Sequence, residues 1–229
     1  MRSVIIASTS TRCNTLRPTL FSIIQAAGWP IWPLVICSVL SLTLIIERMI
    51  SLKKSKIAPA NLLAEVLSVT QTSLPSPDVI DKLETNSALG EVLASGLRAL
   101  QVQPSCSSQD LQAAFENKGR QVSHRLERYL SALATMASVA PLMGLFGTVV
   151  GMIEIFGAQA PGAGVAGSHP AELAHGISVA LYNTAFGLII AIPTLIFWRF
   201  FRARVDDYVL TLELASERLL RQLNGLIKP

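Results

Sequence analysis

The sequence predicts an all-α, polytopic membrane protein with three transmembrane helices, the second and third extending into a cytoplasmic helical bundle. Three observations predict it. Hydrophobic residues make up 51% of the 229-residue chain and charged residues only 15%, whereas soluble domains ordinarily carry about 25% charge. Three segments, Trp29 to Ile46, Leu130 to Ile153 and Gly176 to Trp198, contain no Asp, Glu, Lys or Arg, and each is close to the ~20 residues a helix needs to cross a bilayer. A chain this short cannot wrap three such helices in its own protein, which sets aside a soluble fold with buried helices.

The elements follow in order. In residues 1–20 the only apolar run, Val4-Ile5-Ile6-Ala7, is too short for a signal peptide; this stretch reads as a disordered, dispensable extension. Residues 21–50 hold a short amphipathic segment to Gly28 and then the first span, closed by Glu47-Arg48, which are expected to snorkel at the inner interface. Residues 51–129 form a cytoplasmic helical domain punctuated by Pro59, Pro75, Pro77 and Pro104, each ending or starting a helix. Ser107, with Asp110 three residues on, has the pattern of a helix cap. No breaker follows before Pro141, so one helix is expected from about Ser108 to about Phe156, ~75 Å at 1.5 Å per residue. It contains the second span, 130–156. Residues 157–174 form an outer loop rich in Gly and Ala, and residues 175–198 the third span. The tail, 199–229, shows a heptad of Val205, Val209, Leu212, Ser216, Leu219, Leu223 and Leu226, which suits a bundle core and an oligomer seam equally.

Lys and Arg set the direction. They cluster after span one (Lys53, Lys54, Lys56), before span two (Lys118, Arg120, Arg125, Arg128) and after span three (Arg199, Arg202, Arg204), and are missing from 157–174. The N-terminus and the short loop are thus expected in the periplasm, and the long loop and C-terminus in the cytoplasm.

Several function classes fall away. A net charge of +4 is too small to argue for nucleic-acid binding. Cys13, Cys37 and Cys106, like His124, His169 and His175, are scattered without ligand spacing, so no metal or cofactor is expected. No nucleophile–base group or carboxylate pair lies in a cleft-forming segment, which argues against an enzyme. What the spans do carry is hydroxyls and amides: Ser131, Thr135, Ser138 and Thr148 in the second, Ser178, Asn183 and Thr184 in the third. At membrane depth such groups face protein or a watery path. Gly176, Ala180, Thr184, Gly187 and Ala191 form a small-residue stripe, read as close helix packing or as part of a pore wall.

The run Ala140-Pro141-Leu142-Met143-Gly144-Leu145-Phe146-Gly147-Thr148-Val149-Val150-Gly151 resembles the AP-x-x-GLFGTV-x-G motif of ExbB and TolQ. Gly176-Ile177-Ser178-Val179-Ala180-Leu181, with Thr184-Ala185-Phe186-Gly187-Leu188 and Ala191-Ile192-Pro193, is similar to that family's third-span pattern. Trp29-Pro30 and Glu47-Arg48 also fit, so the resemblance to the MotA/TolQ/ExbB proton channel family runs from about Phe21 to Leu226. It implies an inner-membrane homo-oligomer, a pentamer, around a single-span ExbD/TolR-like partner whose aspartate carries protons, with force passed to a TonB/TolA-like protein. It also implies a proton path along Thr148 and Thr184, to which Asn183, Val179, Ser138 and Thr135 are added from their place in the spans.

One family position departs. Where the pattern has a glutamate this chain has Val179, which cannot take up a proton. Either the partner's carboxylate relays alone or a neighbour substitutes. Glu172, His175, Val179 and Asn183 share one helical face; Glu172 and His175 then form an outer mouth, or are simply solvated at the membrane surface. Glu154 has the same two readings. A non-conducting scaffold that stabilises the single-span partner is the alternative function.

Overall fold

The computed structural model describes residues 29–72, 74–103, 106–158 and 170–227. Every regular element among the described residues is a helix: α1 Ile31–Ser51, α2 Lys54–Ile57, α3 Leu62–Thr72, α4 Pro77–Asn86, α5 Ala88–Val102, α6 Ser108–Glu127, α7 Leu130–Ala158 and α8 Pro170–Ile227. The chain is an all-α polytopic membrane protein. Three stretches are long and apolar enough to cross a bilayer: α1, the 50-residue rod of α6 and α7, and the 50 residues of α8 from Gly176 to Gly225. The expected extension 1–20 and the amphipathic segment 21–28 lie outside the described residues, as does most of the outer loop.

Local chemistry explains the helix boundaries. Pro30 precedes α1, and Pro33 falls in its first turn, where a missing N–H breaks no helical bond. Pro77 opens α4 with its φ already set for a helix. Ser87 caps α5 by accepting from the Gly90 amide at 3.1 Å. Ser107 and Asp110 close a full capping box on α6, the arrangement their spacing predicts.

Below the spans, α4, α5 and α6 pack with the lower half of α8 around a core that includes Leu93, Leu97, Leu111, Val122, Leu212 and Leu219. Gly96 makes room for the Phe115 ring: a Cβ at Gly96 would lie 2.0 Å from Phe115 Cζ. Distant hydrogen bonds fasten the layers. The Tyr208 hydroxyl donates to the Leu52 carbonyl at 3.0 Å, and the Gln222 amide donates to Leu67 O at 2.7 Å.

Three expectations change. The long rod is not one unbroken helix, since a turn at Arg128–Tyr129 separates α6 from α7. Beside it lies Arg48, which is not a snorkelling residue: it is 3% exposed and donates from Nη1 to the Leu126 carbonyl at 2.9 Å. That carbonyl is the acceptor residue 130 would use in a continuous helix. The tail seam is also phased differently. The buried residues are Phe201, Val205, Tyr208, Leu212, Ala215, Leu219 and Leu223, while Val209 and Ser216 are half-buried.

The bundle surface carries a chain of ion pairs. Glu91 meets Arg125 and also Lys118 at 3.1 Å, and Lys118 reaches Glu84 at 3.6 Å. Partial burial pushes the Glu91 carboxyl up, but bonds from Arg125 and Lys118 outweigh it and hold the group below its ordinary 4.5. A depressed carboxylate stabilises the fold above its unfolded pKa, and that contribution disappears as pH falls through the folded value. Thermal unfolding of the detergent-solubilised chain should therefore show a loss of stability below about pH 4.5 that Glu91→Gln flattens. The variant should be the less stable of the two at pH 7. Parallel pH profiles would contradict this.

Candidate functional site

At their glycines the second and third spans approach too closely to admit a further side chain. Contacts run antiparallel: Ala140 and Gly144 meet Gly187, Gly144 also meets Asn183 and Thr184, Gly147 meets Asn183, and Gly151 meets Ala180. A Cβ at Gly144 would lie 2.8 Å from Asn183 O, and one at Gly187 2.7 Å from Ala140 O. Both obstacles are backbone, so glycine is what permits the approach. The three glycines of the AP-x-x-GLFGTV-x-G run thus form one side of a seam, and the small-residue stripe of α8 forms the other. Further out, Gly176 leaves space for Ile155.

Polar groups lie in and around this seam. Asn183 is 1% exposed and packs on Gly147. Thr184 donates across the seam to the Gly144 carbonyl at 3.4 Å. Thr148 is half-buried, its hydroxyl donating to Leu145 O one turn back at 2.7 Å. Among the described residues no hydrogen bond joins Thr148 to Thr184; beside Thr148 the surface hollow is lined by Val149, Met152, Ile153 and Phe156.

Thr135 and Ser138 sit elsewhere. With Ser131 they form an exposed row on the face of α7 turned away from α8. Thr135 donates to Ser131 O at 2.9 Å and Ser138 to Ala134 O at 3.1 Å. Their protons are thus satisfied within the helix, while their lone pairs stay open to a donor from outside. Above them the same face becomes aliphatic, with Leu142, Leu145, Val149 and Ile153 exposed. Glu154 is exposed near the end of α7. Glu172, His175 and Val179 belong to the first turns of α8, and their side chains lie outside the described residues.

Buried polar groups that the sequence reading passed over complete the picture. Thr194 is 2% exposed and bonds Ile190 O at 2.7 Å. Ser41 of α1 is also 2% exposed, and its hydroxyl has no partner among the described residues. A hydroxyl in an otherwise apolar span was the available signal for both.

Two long helices sealed by glycine, a third span at their side and uncharged hydroxyls at membrane depth define a multi-pass, all-α membrane protein. The chain belongs to the MotA/TolQ/ExbB proton channel family, whose model matches residues 84–214. It is 31% identical over 169 residues to the biopolymer transport protein exbB1 of Vibrio cholerae, covering 74% of this chain and 73% of that one. It is 30% identical over 179 residues to a putative biopolymer transport protein, ExbB-like 3, of Synechocystis, covering 78% and 83%. A shorter stretch of 82 residues is 43% identical to the Tol-Pal system protein TolQ of Pseudomonas aeruginosa, covering 36% and 34%. With its three apolar spans, this membership makes the chain a multi-pass inner-membrane protein.

Proposed function

We propose that this chain is the ring-forming subunit of a proton-driven motor, arranged as a homo-oligomer, a pentamer, around a single-span partner of the ExbD/TolR kind. The observation that carries the reading is the sealed seam. Within one copy α7 and α8 close on each other through Gly144 and Gly187, whereas Ser131, Thr135 and Ser138 face outward. A proton path through such a subunit runs between copies, with the outward hydroxyls toward a central helix. Thr148, half-buried at the edge of the seam, continues the path, Thr184 and Asn183 close the seam behind it, and the first turns of α8, with Glu172 and His175, form its outer mouth together with Glu154. The partner's carboxylate carries the charge. Each proton moved through 100 mV supplies about 2.3 kcal/mol, and the resulting motion passes to a TonB/TolA-like protein. The N-terminus and the outer loop face the periplasm, and the bundle faces the cytoplasm, as the Lys and Arg bias requires.

A second reading, a scaffold that holds the partner without conducting, is favoured by Val179, where the resembling pattern has glutamate. Vesicles containing the chain, the single-span partner and an entrapped pH dye separate the two. The motor reading expects proton uptake that disappears when the partner's membrane carboxylate is made an amide. Equal dye traces with and without that carboxylate would leave only the scaffold.

A further inference from the structure

The extramembrane part of α8 has two unlike faces. On one, α6 and α8 enclose a groove whose apolar lining includes Phe115, Leu212 and Leu220. Its rim carries Glu116, Glu213 and Glu217 against a single cation, Arg120. These carboxylates are engaged only within their own helices. Glu116 accepts from the Gln112 amide at 2.9 Å and pairs with Arg120 at 3.3 Å, Glu217 pairs with Arg221 at 3.9 Å, and Glu213 has no ion pair among the described residues.

The other face is a ridge. Leu210 and Leu214 are 55% and 47% exposed, beyond the cluster Arg199, Arg202 and Arg204 and therefore outside the hydrocarbon. Arg218 and Arg221 continue the ridge at steps of four and three, and Asp207 stands at its membrane end. Leu214 and Arg218 are also the lip of a second groove, whose lining includes Ala58, Leu63 and Leu89 and whose only charged lining residues are Lys54 and Arg218. Two exposed leucines one turn apart on a water-facing helix, beside Arg218, which has no ion pair among the described residues, are a surface waiting for a partner.

We infer that the Leu210–Leu214–Arg218 ridge of one copy seats in the acidic α6–α8 groove of the next, making a head-to-tail contact between copies of this chain. The charges are complementary: the groove rim sums to −2 (three carboxylates, one guanidinium) and the ridge-side groove to +2. The heights match too, because Leu210, Leu214 and Arg218 stand level with groove residues Val209, Glu213 and Glu217 on the same helix. A contact between different patches at equal height needs rotation but no translation, and such a contact closes into a ring rather than growing a filament. At 100° per residue the two patches face about a third of a turn apart on α8, the relation of neighbours in a small ring and not of a back-to-back pair. The contact rests on the oligomeric reading above, and it identifies which extramembrane surfaces hold that oligomer.

Charge exchange on the full chain in lipid nanodiscs, read by native mass spectrometry, tests it. Glu213→Arg with Glu217→Arg should lower the ring population at least about tenfold, and so should Lys54→Glu with Arg218→Glu. All four substitutions in one chain restore complementarity with its polarity reversed, and the ring should return. Misfolding cannot produce that recovery. Rings that persist in both double variants, or a fourfold variant that stays dispersed, overturn the contact while leaving the oligomeric reading intact. A wild-type chain that is itself a single copy overturns both.

Discussion

Gly187→Leu is expected to part the second and third spans and strip the chain of stable, assembled protein in the membrane. The added side chain has nowhere to go. Its Cβ alone would lie 2.7 Å from Ala140 O, 3.1 Å from Gly144 Cα and 3.4 Å from Gly144 N. All three are main-chain atoms of a helix, so no rotamer change relieves the clash and the helices must separate. Separation loosens the Thr184–Gly144 hydrogen bond and the packing of Asn183 on Gly147. In lipid no hydrophobic drive brings the helices back, because their association depends on this close packing. Overpacking a tight site costs about 1–3 kcal/mol; Leu should lie at or beyond the upper end and Ala near the lower. Gly157→Leu is the control, since a Cβ there meets nothing within 4 Å. Melting temperatures in detergent should fall in the order wild type and Gly157→Leu, then Gly187→Ala, then Gly187→Leu. Equal melting of all four would mean that the seam does not hold the helices.

The same glycines mark what was legible from residues alone. The spans could be read because each is a long run without charge, a local property of the chain. The cap of α6 could be read because Ser107 and Asp110 satisfy each other within a single turn. What escaped depended on partners far away in sequence. Arg48 looks like an interfacial cation until Leu126, 78 residues on, is seen to accept its proton. Tyr208 enters the tail seam in place of Val209 because its hydroxyl finds Leu52, 156 residues earlier; an apolar heptad count passes over a residue with a polar tip. At the candidate site, residue types and depth were legible, but direction was not. Thr184 and Asn183 face the companion helix, whereas Thr135 and Ser138 face away from it. Periodicity places residues on a face without saying which face a neighbouring copy will occupy.

Arg48→Leu should destabilise the chain by about 2 kcal/mol, although it exchanges a charge for an apolar residue at the edge of a membrane span. The guanidinium is saturated with contacts. Nε donates to Glu47 Oε2 at 2.8 Å, Nη1 to Leu126 O at 2.9 Å, and Cζ sits 4.6 Å from the centre of the Tyr129 ring. These contacts differ in weight. Glu47 is 42% exposed on its side chain, so water replaces its partner and that pair contributes little, as surface pairs do. The Leu126 carbonyl lies beside the break in the helical ladder. Losing this bond costs about 1–3 kcal/mol, and the lost cation–π contact adds roughly 0.5–1 kcal/mol. Arg48→Lys should recover only part of this, since an ammonium cannot span carboxylate, carbonyl and ring as a planar fork does. The readout separates stability from local geometry. Unfolding in detergent gives the loss, and amide hydrogen exchange at residues 126–130 reports whether the α6–α7 junction loosens. If Arg48→Leu unfolds within about 0.5 kcal/mol of wild type with unchanged exchange there, the guanidinium is not what ties the first span to the turn at Arg128–Tyr129.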